Sequence, residues 1–302
     1  MVMTRSGILL IDKPEGPSSA QVVHRVKKRL QAKKVGHLGT LDPFASGLLL
    51  IGINDGTKIA DIFLGGVKSY RGVIALGIET DTQDATGKVV MQRPVPLFGD
   101  AELRRLEQKF SGELQQVPPM FSALKRDGVR LYRLARQGKE VPREARPIRI
   151  DHLQLTRAGE AELQFETTCS RGTYVRTLAA DMGTQLGCGA HLKKLRRIAC
   201  DHLSVTNAIN LEDFESRAAG GAVPLLSLRD ALAHLPTVTW QSRLLSRLRL
   251  GQQELLAQIS PPRACDNLVG ILDPCGELAA LAKWTEDLAE RRWRLYRVFH
   301  AS

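Results

Sequence analysis

Gly36-His37-Leu38-Gly39-Thr40-Leu41-Asp42-Pro43-Phe44-Ala45-Ser46-Gly47 runs directly into Leu48-Leu49-Leu50-Ile51-Gly52-Ile53, and the reading of the whole chain turns on this stretch. Its glycines let the backbone turn tightly or approach another group, while Pro43 holds Asp42 in extended backbone and offers no N–H of its own. Asp42 is thus a carboxylate on a stiff loop, set among Leu41, Pro43 and Phe44 and feeding an apolar run that reads as a buried strand. Taken alone, Asp-Pro in a loop is most simply a turn or a helix cap. A solvated charge would nevertheless be oddly placed at the mouth of a core strand.

Working outward toward the N-terminus, Gly7-Ile8-Leu9-Leu10-Ile11-Asp12 reads as another buried strand, and Lys13-Pro14-Glu15-Gly16-Pro17-Ser18-Ser19 as a turn ending in N-cap residues. A helix is predicted from about Ser19, with Val22, Val23, Val26 and Leu30 on its inner face. Its outer face, with Arg25, Lys27, Lys28 and Arg29, reads as a solvated surface.

Toward the C-terminus, Val67 to Ile78 is β-branched and aromatic enough for a strand, which carries Tyr70, by default a packing residue. Asp81-Thr82-Gln83-Asp84-Ala85-Thr86-Gly87 lacks the spacing and closing glutamate of a calcium loop and reads as a hairpin turn. Asp100 to Phe110 is a surface helix with Leu103, Leu106 and Phe110 inward, and 115–128 is a proline-rich loop. From Val129 to Gly138, Arg130, Arg133 and Arg136 alternate with Leu131, Tyr132 and Leu134, the pattern of a basic, partly apolar helix; Lys139 and Arg143 follow.

Ile148 to Leu155 and Leu163 to Cys169 alternate as strands. Ser170-Arg171-Gly172-Thr173-Tyr174-Val175-Arg176 then turns into a helix with Gly187 as its C′ residue. Arg176 lies near the start of that helix, against the sign of its dipole, which points to an anionic partner. Leu195, in the apolar and basic run that follows, reads as core. Pro224 to Leu235 is predicted as the last helix of a large domain, and Pro236 opens a smaller region of short β-like runs ending in Trp293-Arg294-Leu295-Tyr296-Arg297-Val298-Phe299.

With 302 residues and 43% hydrophobic content the chain can bury a sizeable core, so disorder is not expected. The net charge of +11 favours a polyanionic partner, of which nucleic acid is the commonest. Cys169, Cys188, Cys200, Cys265 and Cys275 are odd in number and contain no Cys-x-x-Cys pair, so neither a zinc site nor a disulfide framework is expected. No apolar run approaches the ~20 residues of a membrane span, and the first residues lack a signal peptide's apolar region, so a cytoplasmic protein is expected.

The segment around Asp42 resembles the signature of the TruB-type tRNA pseudouridine synthases, Gly-His-Thr-Gly-Thr-Leu-Asp-Pro, departing from it at Leu38 where the family commonly has a hydroxyl. Lys13-Pro14-x-Gly16-x-x-Ser19, Lys68-x-Tyr70, Pro118-Pro119-x-x-Ser122-Ala123-x-Lys125, Tyr132-x-x-Ala135-Arg136 and Gly172-Thr173-Tyr174-Val175-Arg176 are similar to further family motifs. The resemblance spans about Gly7 to Arg197 and is weak beyond.

It implies an α+β pseudouridine synthase fold: a central mixed, largely antiparallel sheet flanked by helices, plus a small C-terminal PUA-like β domain. The implied division is a catalytic domain over 1–235, with an RNA-binding thumb at about 115–146, and an RNA-binding domain over 236–302. It further implies isomerisation of a T-loop uridine of tRNA (position 55). Asp42 and Arg176 would be the catalytic pair, the arginine keeping the acid ionised. His37, Tyr70, Tyr174 and Leu195 would contact the substrate, Tyr70 by lying against the flipped base. Lys13 would be a structural neighbour of the loop. The partner would be the T-arm stem-loop, bound by a monomer with no membrane, no guide RNA and no metal or other cofactor. Two rivals use the same basic surface: a tRNA-binding folding chaperone without chemistry, and a guide-RNA-dependent synthase of the dyskerin type.

Overall fold

Strands Gly7–Lys13 and Ser46–Ile53 are antiparallel neighbours in register from Gly7 opposite Ile53 to Lys13 opposite Gly47. Both are buried on both faces, which is why they read as continuous apolar runs rather than alternating ones. Leu9, Ile11, Leu49 and Ile51 join Val22, Val26 and Leu30 of the helix Ser19–Leu30 in one core. Ile8, Leu10, Leu48 and Leu50 face a second core with Phe63, Leu228 and, from the C-terminal region, Leu272, Leu278, Leu281 and Phe299. This arrangement is taken from a computed structural model that describes residues 3–262, 267–286 and 291–300.

Those two strands are part of an eleven-stranded sheet whose main path runs Ile209–Asn210, Gly7–Lys13, Ser46–Ile53, Ala190–Cys200, Lys68–Leu76, Glu162–Cys169, Arg146–Arg157, Gly112–Gln116. Most neighbours are antiparallel. Ser46–Ile53 meets Ala190–Cys200 in parallel, through Ser46 opposite Arg196 and Gly47 opposite Arg197. At that crossing a Cβ on Gly47 would stand 2.2 Å from the Arg197 carbonyl oxygen, and Gly47 has φ 103°, so both space and backbone demand glycine.

The helix Ser19–Leu30 starts with a capping box: Gln21 N–H donates to Ser18 Oγ (3.3 Å) and Ser18 N–H to Gln21 Oε1 (2.8 Å). The helix Val175–Gln185 packs on Ala190–Cys200 and ends before Gly187, whose φ of 80° is the expected left-handed C′ conformation.

Two expected helices are shorter in the structure. Within Val129 to Gly138 only Leu131–Arg136 is helical, because Val129–Arg130 pairs with Lys125–Arg126 as a small hairpin. Of Pro224 to Leu235, only Leu228–Ala231 is helical, and Leu225–Leu226 pairs with the strand Gly7–Lys13 instead.

A second sheet, Thr237–Thr239, Leu268–Leu272, Leu278–Glu286 and Arg291–Val298, forms a small C-terminal β unit. It is tied to the larger one where Lys58 Nζ donates to the Val298 carbonyl (2.7 Å) and Arg297 Nε to the Lys58 carbonyl (2.7 Å). The four described cysteines are free thiols, and Cys265 lies outside the described residues. No helix among the described residues is long and apolar enough to cross a membrane.

Candidate active site

The loop 39–43 is fixed by partners from three directions. Arg197 is buried to 1% exposure within its strand and donates to the carbonyls of Gly39 (3.2 Å), Thr40 (3.1 Å) and Leu48 (2.8 Å). Ser19 Oγ donates to the Leu41 carbonyl and accepts from the Leu41 N–H, both at 2.8 Å. Lys13 Nζ, fully buried, donates to the carbonyls of Pro14 (2.8 Å), Pro17 (2.9 Å) and Pro43 (3.3 Å), and Gly16 N–H adds a bond to Pro43 (2.8 Å). Burial pushes the Lys13 ammonium down to about 8, against the opposing pull of Glu15 and Asp42. With its backbone so held, Asp42 has little freedom beyond its own side-chain torsions.

Asp42 Oδ2 lies 3.0 Å from Arg176 Nε. The guanidinium is 7% exposed and the carboxylate 37%, so the cation is sunk in the wall and the anion faces the opening. Arg176 is oriented by three more groups: it donates to the carbonyls of Thr82 and Phe121 (2.9 Å each), and its Nη1 stands 3.6 Å from Asp84 Oδ2. Asp84, itself 6% exposed, accepts at Oδ1 from Thr82 Oγ1 (2.8 Å), Thr86 N–H (2.9 Å) and Thr86 Oγ1 (2.5 Å). The turn 81–87 does join two short strands as expected, Ile78–Thr80 and Val89–Gln92. It also delivers a second carboxylate, this one buried, to Arg176, which its reading as a plain hairpin turn left out.

All six residues singled out in the sequence line one cleft of about 800 Å³: Asp42, Arg176, His37, Tyr70, Tyr174 and Leu195. Tyr70 lies opposite Arg197 and Thr167 in its strand ladders, and burial pushes its phenol up to about 12, so it is neutral at ordinary pH. His37 is pushed down chiefly by burial and then by Arg197, so its ring is held neutral; its Nδ1 is buried without a hydrogen-bond partner among the described residues. Tyr174 is fastened by its backbone to Gln116, whose Oε1 accepts from Tyr174 N–H (2.8 Å) while its Nε2 donates to the Tyr174 carbonyl (3.1 Å). Arg130, Tyr132 and Arg136 from the segment 115–146 form the facing wall.

Comparison with known proteins bears on the family of the chain. The model of the TruB family pseudouridylate synthase N-terminal domain matches residues 27–175, and that of the tRNA pseudouridylate synthase B C-terminal domain matches 176–232. A tRNA pseudouridine synthase B of Syntrophobacter fumaroxidans is 42% identical over 300 residues, covering 97% of this chain and 98% of that one. The chain belongs to the TruB family. A second TruB relative, the tRNA pseudouridine synthase B of Geobacter sulfurreducens, is 46% identical over 247 residues, 81% of each chain. Among solved structures, a chain of a Cbf5-Nop10-Gar1 complex superposes with a TM-score of 0.74 at 24% identity, over 97% of this chain and 85% of that one, a likeness of fold. The TruB C-terminal model ends at residue 232 and so covers the segment that completes the large sheet, before the small β unit begins.

Sequence reasoning missed Arg197 and Asp84 as parts of the candidate site and saw Lys13 only as a neighbour. A signal for Arg197 was present: it follows Leu195 by two residues in a strand, so the two share a face, and that face is buried. Thr82 and Thr86, flanking Asp84 at two residues on either side, were the signal for a carboxylate tied into its own turn.

Proposed function

We propose that the protein is a stand-alone tRNA pseudouridine synthase acting on uridine 55 in the T-loop. In the reaction the C1′–N1 bond breaks, the uracil rotates, C1′ rejoins at C5, the C5 proton leaves and N1 gains one, so composition does not change. The observation that carries the reading is the Asp42–Arg176 pair at 3.0 Å, on a loop immobilised along its backbone and open to the cleft on the carboxylate side. Such a placement supplies a fixed anion beside a ribose without reorganisation during reaction. Tyr70 and Leu195 give apolar surface for a flipped uracil, and Tyr174 and His37 complete the walls. The relatives named tRNA pseudouridine synthase B support tRNA as the substrate.

Residues 115–146 act in this reading as a thumb that closes on the T-arm, and 236–302 as an RNA-binding domain of PUA type. In this reading the chain binds the T-arm directly, without a guide RNA, and acts as a cytoplasmic monomer. Tritium release from tRNA labelled at uracil C5 tests the reading with purified protein. Stoichiometric release, mapped to the T-loop, is expected. Tight tRNA binding without release would favour a folding chaperone.

A further inference from the structure

The helix Ser19–Leu30 separates its cations into two sets. Arg25 meets Glu215 through Nε and Nη2 (2.8 Å each), and Arg29 Nε donates to the Glu215 carbonyl (2.9 Å), so these two fasten the helix to its neighbour Leu211–Ala219. Lys27 lies on the side of the helix away from that contact, Lys28 stands beside Arg25 three residues on without meeting Glu215, and Lys33 and Lys34 follow beyond the helix end. All four are exposed, and among the described residues none has a carboxylate within ion-pair distance. Four like charges so grouped, with no internal counterion, are the footprint of an external polyanion.

Their position gives the direction. Ala20 lines the cleft and also a shallow groove of about 590 Å³ lined further by Gln21, His24 and Arg25. Ala20, His24, Lys27 and Lys28 fall on one helical face, and Lys27 is about 10 Å along the axis from Ala20. The helix face from Ala20 through His24 to Lys27 and Lys28 therefore starts at the cleft wall formed by Ser18, Ser19 and Ala20, rather than at the 115–146 segment, and runs away from it, with Lys33 and Lys34 following after the helix end.

We propose that Lys27, Lys28, Lys33 and Lys34 form a second phosphate-binding surface, which holds the part of a folded tRNA lying beyond the T-arm hairpin. The proposal rests on the function proposed above for the identity of the RNA, not for the charge of the partner. Replacing all four lysines by Ala in the full chain, and titrating binding of full-length unmodified tRNA and of an isolated T-arm hairpin at several salt concentrations, tests it. Each phosphate contact contributes roughly 0.7–0.9 to the salt slope, so the slope for full-length tRNA should flatten by about three units while that for the hairpin stays unchanged. The four-Arg variant should restore the slope, and the four-Gln variant should not. An unchanged slope for full-length tRNA, or equal weakening of tRNA and hairpin, overturns the proposal. Absence of tritium release by the wild-type protein, with the slope difference intact, would instead refute the enzymatic reading and leave this surface standing.

Discussion

Arg176→Ala removes the one cation that four groups in the site share. Breaking a buried ion pair by deleting one partner costs about 3–5 kcal/mol, but the share falling on each partner here is unequal. The Asp42 carboxylate is 37% exposed, so water re-screens it and its loss is that of a surface pair, below about 1 kcal/mol. Asp84 is 6% exposed and keeps its three bonds from Thr82 and Thr86, yet it loses a cation 3.6 Å away. The carbonyls of Thr82 and Phe121 each lose a donor, at about 1 kcal/mol apiece. Together these place the loss of stability near the lower end of the range, at about 3 kcal/mol.

If an equal share is lost from the transition state, through an Asp42 no longer held in place, the rate falls by about two powers of ten. Urea unfolding reads the first quantity and single-turnover tritium release on saturated enzyme the second. Arg176→Lys sharpens the test, since one ammonium can reach Asp42 but cannot also span Asp84, Thr82 and Phe121; part of the rate should return and little of the stability. An Ala variant with an unchanged unfolding midpoint and a rate within a few-fold of wild type would refute the reasoning.

Asp42→Asn should abolish tritium release and leave tRNA affinity nearly unchanged, because the amide keeps the shape of the acid without its charge; multiple turnovers by the pure variant would contradict this. In the 115–146 segment, Arg126 has Asp127 within 3.9 Å and Arg143 has Glu140 at 3.0 Å, whereas Lys125, Arg133 and Lys139 are exposed, have no carboxylate partner among the described residues and stand outside the cleft lining. Replacing those three by Ala should flatten the salt dependence of T-arm binding by about two units, with the rate at saturation preserved; an unchanged slope would remove the segment from RNA binding. Lys13, at about 8 in the folded protein against 10.5 for the free side chain, gives activity and stability opposite pH dependences. Above pH 8 the group deprotonates, the loop at Pro43 loses a charged donor and activity should fall. The folded state binds fewer protons than the unfolded state between the two values, so the stability contributed by this group should rise over the same interval. Lys13→Arg should move the alkaline limb of the activity profile upward, and an unmoved limb would dissociate Lys13 from it.

Local chemistry made much of this protein legible without coordinates. The apolar runs 7–12 and 47–53, the Ser18 cap, the stiff Asp42-Pro43 loop and the glycine after the helix Val175–Gln185 depend on neighbours a few residues away, and the chain displays those neighbours. Even the need of Arg176 for an anion could be read from its place at a helix start. Only the tertiary structure decided that Asp84 shares that arginine, since the two are brought together by the packing of a hairpin turn against a helix ninety-two positions later. The same holds for Arg197, whose charge in a basic run looks like surface until the parallel crossing at Gly47 lays the loop carbonyls of Gly39 and Thr40 over it. A buried cation is tolerated only where several acceptors converge on it, and convergence is set by strand order and register, which no short window of sequence contains.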